Sequence, residues 1–208
     1  KSVILKHLDG LIDPLDGYVD IDGRRISNVP EKVKREIRSK IGFMFQQGAL
    51  FDSLSVGENV AFPLQEAGLK NEEELDSRIS AALESVGLSG QEEKMPANLS
   101  GGMIKRAGIA RALSLGATIL LLDEPSAGLD PITAANLDQT IRKLRDNLGA
   151  TFVIVSHELK SIFRIADRCI MLDPKTRSII ADGAPNDLQK NSPNPWVRQF
   201  FNAQPDAE

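Results

Sequence analysis

A single cysteine, Cys169, stands in a chain of 208 residues, so no disulfide can form within it, and the composition fits a reducing compartment. No apolar run approaches the roughly 18 residues of a membrane-spanning helix, so membrane association is expected to come through a partner. A basic excess is also lacking: 25 Lys and Arg stand against 29 Asp and Glu, giving a net charge of −4 and a pI near 5.4. That balance argues against a general nucleic-acid binder. There is no signal peptide and no initiator Met; with Lys1 as first residue, a natural N-terminal segment is expected to have been lost or left out. Repeats and low-complexity tracts are missing too. What is there is ordinary for a globular protein, with 41% hydrophobic and 26% charged residues, and the length suits one domain or one core with a small inserted lobe.

Apolar positions Ile4, Leu5 and Leu8 predict a helix from Ser2 to about Leu11. Residues 16–23 alternate between two glycine turns and read as a short strand, and Pro30 opens a basic helix through about Ser39. Ile41 to Phe45 is a compact apolar strand stopping at Gln46-Gln47-Gly48. Two helices follow, Glu58 to Ala67 and Glu72 to Val86, ended by Gly68 and Gly87. They suggest a helical lobe inserted into an α/β core. Helix and strand then alternate: a helix from Gly101 to Leu115, a strand from Thr118 to Leu122, and a helix capped by Asp130 with Pro131 at its first position, ending near Leu148 with Gly149 as stop. Thr151 to Val155 is a second continuous apolar strand. Such runs suit the middle of a parallel sheet buried on both faces. Arg168 to Leu172 and Ser178 to Ala181 suggest a late strand pair.

Polar residues follow directly after the carboxyl ends of these strands, where open α/β sheets place ligands. Asp123 and Glu124 end the strand Leu120-Leu121-Leu122, and two carboxylates delivered by a buried strand are costly unless used or paired. Asp123 is placed to hold Mg²⁺ through water, and Glu124 to polarise an attacking water; solvated acids capping a strand end are the plainer alternative. Ser100-Gly101-Gly102 opens a helix with bare backbone N–H groups that suit an anion, or is an ordinary serine cap. Lys1-Ser2 fits the end of a phosphate-binding loop, Lys1 reaching the β- and γ-phosphates and the Ser2 hydroxyl reaching Mg²⁺, or is an arbitrary start on a surface helix. His157 after the second apolar strand is placed to project towards a γ-phosphate, and Gln46 to sense metal or water. Alone, either is unremarkable. His7 is left as a surface or packing residue.

Together and in this order, Lys1-Ser2, Gln46, Leu99-Ser100-Gly101-Gly102, Asp123-Glu124, Ser126-Ala127-Gly128-Leu129-Asp130 and Ser156-His157 resemble the nucleotide-binding subunit of ATP-binding cassette (ABC) transporters along nearly the whole chain. The resemblance implies an α/β P-loop NTPase core with a mostly parallel sheet and an inserted helical subdomain. Its segments would be 1–53 and 103–185 for the ATP-binding core, 54–102 for the helical subdomain ending in the signature motif, and 186–208 for a C-terminal tail. It implies that Lys1 and Ser2 close the Walker A loop, with the loop's glycines, the strand before them and the adenine-stacking aromatic absent. Gln46 would be the Q-loop glutamine, Asp123 and Glu124 the Walker B pair, Asp130 a D-loop residue and His157 the switch histidine. ATP and Mg²⁺ are the implied cofactors, with Ser2, Gln46 and Asp123 at the metal and Glu124, His157 and Gln46 catalytic. Ser100, Gly101 and Gly102 would contact ATP held by the other subunit of a head-to-tail homodimer.

Gly102-Met103, the Gly48-Ala49-Leu50-Phe51 loop, Asp130-Pro131-Ile132-Thr133 and the tail Pro195-Trp196-Val197-Arg198-Gln199-Phe200-Phe201 look like the Mla/Mce-type lipid-trafficking (toluene-tolerance) ATPases. That implies ATP-driven phospholipid transport between bacterial inner and outer membranes, at the cytoplasmic face of the inner membrane. Implied partners are integral membrane permease subunits and an Mce-type lipid-binding protein, with no nucleic acid. An osmoprotectant or other small-solute importer is the alternative, and a soluble ABC ATPase of DNA repair or translation a further one. Trp196, Val197 and Phe200 fall on one helical face, suited to docking a partner subunit or to packing on the chain's own domain.

Overall fold

The computed structural model describes residues 1–46 and 48–205; Gln47, within the loop quoted above, and the last residues of the 186–208 tail lie outside the described residues. The chain forms two compact units, Lys1–Val155 and Ser156–Glu208.

The first unit opens with helix α1, Ser2–Leu8, whose Leu5 is fully buried. The helix stops short of Leu11 because Gly10 turns left-handed at φ +67, which a glycine adopts without penalty. The expected strand over 16–23 is instead a minimal hairpin of β1, Asp20–Ile21, and β2, Arg24–Arg25. Its turn residues Asp22 and Gly23 both take positive φ, +49 and +74, the requirement of a two-residue hairpin turn. Helix α2, Glu31–Arg38, leads into β3, Ile41–Met44.

Helix α3, Val56–Glu66, starts two residues before the expected Glu58, because Ser55 and Glu58 cap it reciprocally: the Ser55 hydroxyl accepts from the Glu58 amide and the Glu58 carboxylate from the Ser55 amide. Helix α4, Glu72–Ser85, is capped by Asn71. Both pack against α5, Gly101–Leu113. Strand β4, Ile119–Asp123, helix α6, Pro131–Leu148, and strand β5, Thr151–Val155, complete the unit.

Among the described residues β3, β4 and β5 form a parallel sheet in that order, with Met44 opposite Leu122 and Asp123 opposite Val155. Leu120, Leu121 and Leu122 of the central β4 are sealed from solvent. Among the described residues strand β5 pairs with β4, and its residues are half-buried or exposed. Helix α5 lies directly on β3: a Cβ on Gly42 would stand 2.2 Å from the Ala112 carbonyl oxygen, so glycine permits that approach.

The carboxyl end of α1 is tied down by cations from α2, in the sense favoured by the helix dipole. Arg38 donates to the Asp9 and Gly10 carbonyls at 2.8 and 2.9 Å, and Lys34 donates to the Gly10 carbonyl at 3.2 Å and to both Asp13 carboxylate oxygens at 2.9 Å. Asp9 is buried there, and burial raises its carboxyl to about 6 although the Arg38 charge opposes the shift. The folded value lies above that of the unfolded chain. The group's contribution to stability is therefore fully present below about pH 4 and is lost as pH rises through about 6. Asp9→Asn is expected to stabilise the protein by up to about 3 kcal/mol at pH 7.5, with the gain shrinking towards pH 4. Urea unfolding of both proteins at the two pH values checks this; a gain independent of pH would contradict it.

The second unit contains α7, Leu159–Ile165, the antiparallel pair β6, Cys169–Asp173, and β7, Ser178–Gly183, then α8, Pro185–Asn191, and α9, Pro195–Phe201. Leu188, Val197 and Phe201 form its core, with Phe163, Met171 and Phe200 packed against them. The apolar face of the tail is thereby divided. Val197 and Phe200 pack within their own unit, and Trp196 stays 41% exposed. Burial pushes the Cys169 thiol up to about 11, so it is a poor nucleophile at neutral pH.

Candidate functional site

Because β3, β4 and β5 run parallel and in register, their carboxyl ends deliver the polar residues that follow them to one edge of the sheet. Asp123 is the last residue of β4 and is buried. Its Oδ1 accepts a 2.9 Å hydrogen bond from the Ser2 hydroxyl, which joins the amino end of α1 to the end of the central strand across 121 residues of sequence. Beside it, Lys1 Nζ stands 3.9 Å from Glu124 Oε1, with Lys1 53% exposed and the Glu124 side chain 11%. An ion pair this open to water is weak, so Lys1 remains available for a stronger partner.

Glu124 leaves the strand in the left-handed region, φ +48, while its amide donates to the Val155 carbonyl at 2.9 Å. A non-glycine residue held there costs on the order of 1–3 kcal/mol, and such strain collects at functional sites. Nothing in the residue type forecasts it. The chain then turns through Ser126, whose buried hydroxyl has no hydrogen-bond partner among the described residues.

These groups suit a hard divalent cation. Ser2 Oγ and Asp123 Oδ1 offer adjacent oxygen donors, and Ser126 adds an unsatisfied hydroxyl on the turn after Glu124. Among the described residues no cluster of three or more His, Cys, Asp and Glu side chains would hold a metal by protein ligands alone. Mg²⁺ characteristically takes one or two protein oxygens and completes its shell with water and substrate phosphates. The donor set fits that habit.

Gln46 lies in the turn after β3 and is exposed. The segment beyond it is clamped to α5: Arg111 donates to the Ala49 and Gly48 carbonyls at 2.8 and 3.1 Å, and a Cβ on Gly108 would stand 3.1 Å from Gly48 Cα. Gly48 and Ala49 are both left-handed, φ +82 and +46. Arg111 and the buried Lys105 on the same helix were not legible as site residues, since a basic residue in a helix carries no signature of where it points.

Ser100 caps α5 by accepting from the Met103 amide at 3.3 Å. Ser100 and Gly101 are exposed and Gly102 is buried, where a Cβ would stand 2.4 Å from Thr133 Cγ2. Asp130 caps α6, its Oδ1 accepting from the Ile132 and Thr133 amides at 3.0 Å, and bonds from Thr133 hold its carboxyl below the usual range. The structure thus gathers Lys1, Ser2, Asp123 and Glu124 at one point. Ser100 and Asp130 appear in it as helix caps. His157 belongs to the second unit, where its Nε2 is 3.7 Å from Glu158 Oε1. His7, on α1, places Nδ1 2.7 Å from the Ile12 carbonyl.

The sequence profile of the ABC transporter family matches residues 1–127. The chain is 42% identical over 202 residues to the probable ribonucleotide transport ATP-binding protein mkl of Mycobacterium tuberculosis, covering 97% of this chain and 55% of that one. It is 39% identical over 201 residues to the intermembrane phospholipid transport system ATP-binding protein MlaF of Escherichia coli, covering 97% of this chain and 74% of the relative. The ATP-binding cassette MJ0796, solved as a dimer in a post-hydrolysis state with ADP and Pi, superposes with a TM-score of 0.77 at 32% identity, over 88% of this chain and 79% of that one. The chain spans about half the length of the mycobacterial relatives it matches.

Proposed function

Because this chain belongs to the ABC transporter family, we propose that it serves as the ATP-hydrolysing subunit of such a transporter and that the cargo is phospholipid moved between bacterial inner and outer membranes. The observation that carries the ATPase reading is the Ser2–Asp123 hydrogen bond with Lys1 and Glu124 alongside it: a hydroxyl, two buried carboxylates and an available ammonium at the carboxyl edge of a parallel sheet. ATP with Mg²⁺ supplies there a transferable γ-phosphoryl group whose charge the metal neutralises. Lys1 binds phosphate oxygens, Ser2 and Asp123 hold the metal, directly and through water, and Glu124 orients the attacking water and takes up its proton. Gln46 senses metal and water from its turn, and His157 contacts the γ-phosphate.

Ser100, Gly101 and Gly102 serve the nucleotide of a second copy in a head-to-tail homodimer, with Asp130 beside that interface. The exposure of Ser100 and Gly101 in the single chain suits that role. Residues 1–53 and 103–185 act as the ATP-binding core, 54–102 as the helical lobe and 186–208 as a tail. No helix among the described residues is long and apolar enough to cross a membrane. The partners at the inner membrane's cytoplasmic face are permease subunits, with an Mce-type lipid-binding protein as a further one.

Phospholipid is favoured over a small solute by the Gly48–Phe51 loop and the likeness to MlaF, while Gly102-Met103 suits either; the likeness to mkl supports the small-solute alternative. Phosphate release by the full-length protein, assembled with its membrane partners in vesicles, separates the two. Stimulation by phosphatidylethanolamine–phosphatidylglycerol in the vesicles and none by an added pyrimidine ribonucleotide is the expected result. The reverse pattern would overturn the lipid reading, and no ATP-dependent phosphate release at all would overturn the ATPase reading.

A further inference from the structure

Lys105 lies in the second turn of α5, 5% exposed, although lysine almost never occupies such a position without a charge to answer. Its neighbours on the helix locate it. Residues 101, 105 and 108 follow one another along one face at helical spacing. A Cβ on Gly101 would stand 3.3 Å from Leu129, just beyond the Glu124 turn, and one on Gly108 would stand 3.5 Å from Met44, the last residue of β3. Met44 in turn is opposite Leu122, next to Asp123. The face bearing Lys105 therefore spans the carboxyl edge of β3 and β4, where Asp123 and Glu124 are buried. Burial pushes the Lys105 ammonium below the ordinary lysine range, and the charges of Glu124 and Asp123 act against that shift.

We propose that Lys105 is a positioning residue, a buried cation on the signature helix whose charge steadies the Asp123–Glu124 carboxylates from the α5 face of the sheet edge. Two ammoniums act on these carboxylates, Lys1 through an ion pair with Glu124 and Lys105 through its charge, and the two differ. Lys1 is half-exposed and, on the ATPase reading, turns to phosphate, whereas Lys105 is 5% exposed and stays. Glu124 thus keeps a compensating charge at the moment it loses Lys1. The inference rests on the ATPase reading for its catalytic consequence, but not for the electrostatic coupling itself.

That separation sets the experiment, made on the full-length protein. Met matches the lysine stem and removes the charge, so a Lys105 that only fills space would lose nothing in Lys105→Met. Expected instead is a fall in kcat of about 10–100-fold with KM for ATP changed less than about threefold, and recovery of most of the loss in Lys105→Arg. Without nucleotide, thermal unfolding of Lys105→Met, Glu124→Gln and the double variant forms a coupling cycle. Removing one partner of a buried set leaves the others uncompensated. The Tm loss of Lys105→Met should therefore be at least halved when Glu124 is already Gln. An equal loss in both backgrounds, or an unchanged kcat, overturns the proposal. Should Lys105→Met fail to fold, folding of the double variant supports it and failure of both overturns it. If Glu124→Gln itself leaves ATP turnover intact, it is the ATPase reading that fails, while the thermal cycle still reports on Lys105.

Discussion

Glu124→Gln is expected to lower the ATP turnover of the full-length protein by roughly 10²–10⁴-fold, the scale set by loss of a general base. The substitution is nearly isosteric, and Gln bears the left-handed backbone at φ +48 no worse than Glu does. The ion pair with Lys1, at 3.9 Å with Lys1 53% exposed, contributes little to folding, and the buried Lys105 that also feels the Glu124 charge keeps Asp123 as a counter-charge. The variant should therefore fold and bind nucleotide as before. What it loses is the negative charge and the basicity at the end of β4, so the effect belongs in kcat rather than in affinity. Phosphate release at saturating Mg-ATP, read beside an equilibrium binding measurement, checks this. Turnover within about tenfold of the parent would remove Glu124 from the role of base.

Asp123→Asn should act on a different quantity. Asn retains an oxygen that can accept the Ser2 hydroxyl, so the 2.9 Å link between α1 and β4 has a replacement, but the formal charge is gone. If Asp123 holds the metal through water, the concentration of Mg²⁺ giving half-maximal turnover should rise about 10–100-fold, the usual cost of losing an outer-shell partner. Nucleotide binding in excess EDTA should change little. A Mg²⁺ titration superimposable on that of the parent would show that the carboxylate does not serve the metal. The two variants thus separate roles that side-by-side carboxylates leave confounded: one shifts a rate, the other a titration midpoint.

Elements with local punctuation were readable from the sequence. Asp130, Pro131 and Gly149 bound α6 at the residues where the structure starts and stops it, and Leu120 to Leu122 announce the buried central strand. Signals that depend on partners were not. Helix α3 starts two residues before Glu58 because the Ser55–Glu58 capping box, a pair of side chains answering each other's backbone, sets its first turn. The run Thr151 to Val155 satisfies the composition of an interior strand, yet composition does not tell what covers a strand, and among the described residues β5 is half-buried or exposed. In the tail, helical spacing grouped Trp196 with Val197 and Phe200, but α8 and the β6–β7 pair take up Val197 and Phe200 and leave Trp196 exposed. At the site, residue types and order pointed to Lys1, Ser2, Asp123 and Glu124, which the fold brings within bonding distance. Lys105 and Arg111 are silent because their meaning lies in what their helix faces, the end of β4 further along the chain for one and a loop far earlier in the chain for the other.

The backbone of Glu124 carries one more consequence. Glycine is the residue that a left-handed position prefers, so Glu124→Gly relieves local strain at the site where it deletes the carboxylate. Selection for a sturdier fold and selection for a working engine therefore pull this codon in opposite directions. A library screened only for heat resistance would drift towards an inert protein at this position, and a library screened for turnover would keep paying the strain.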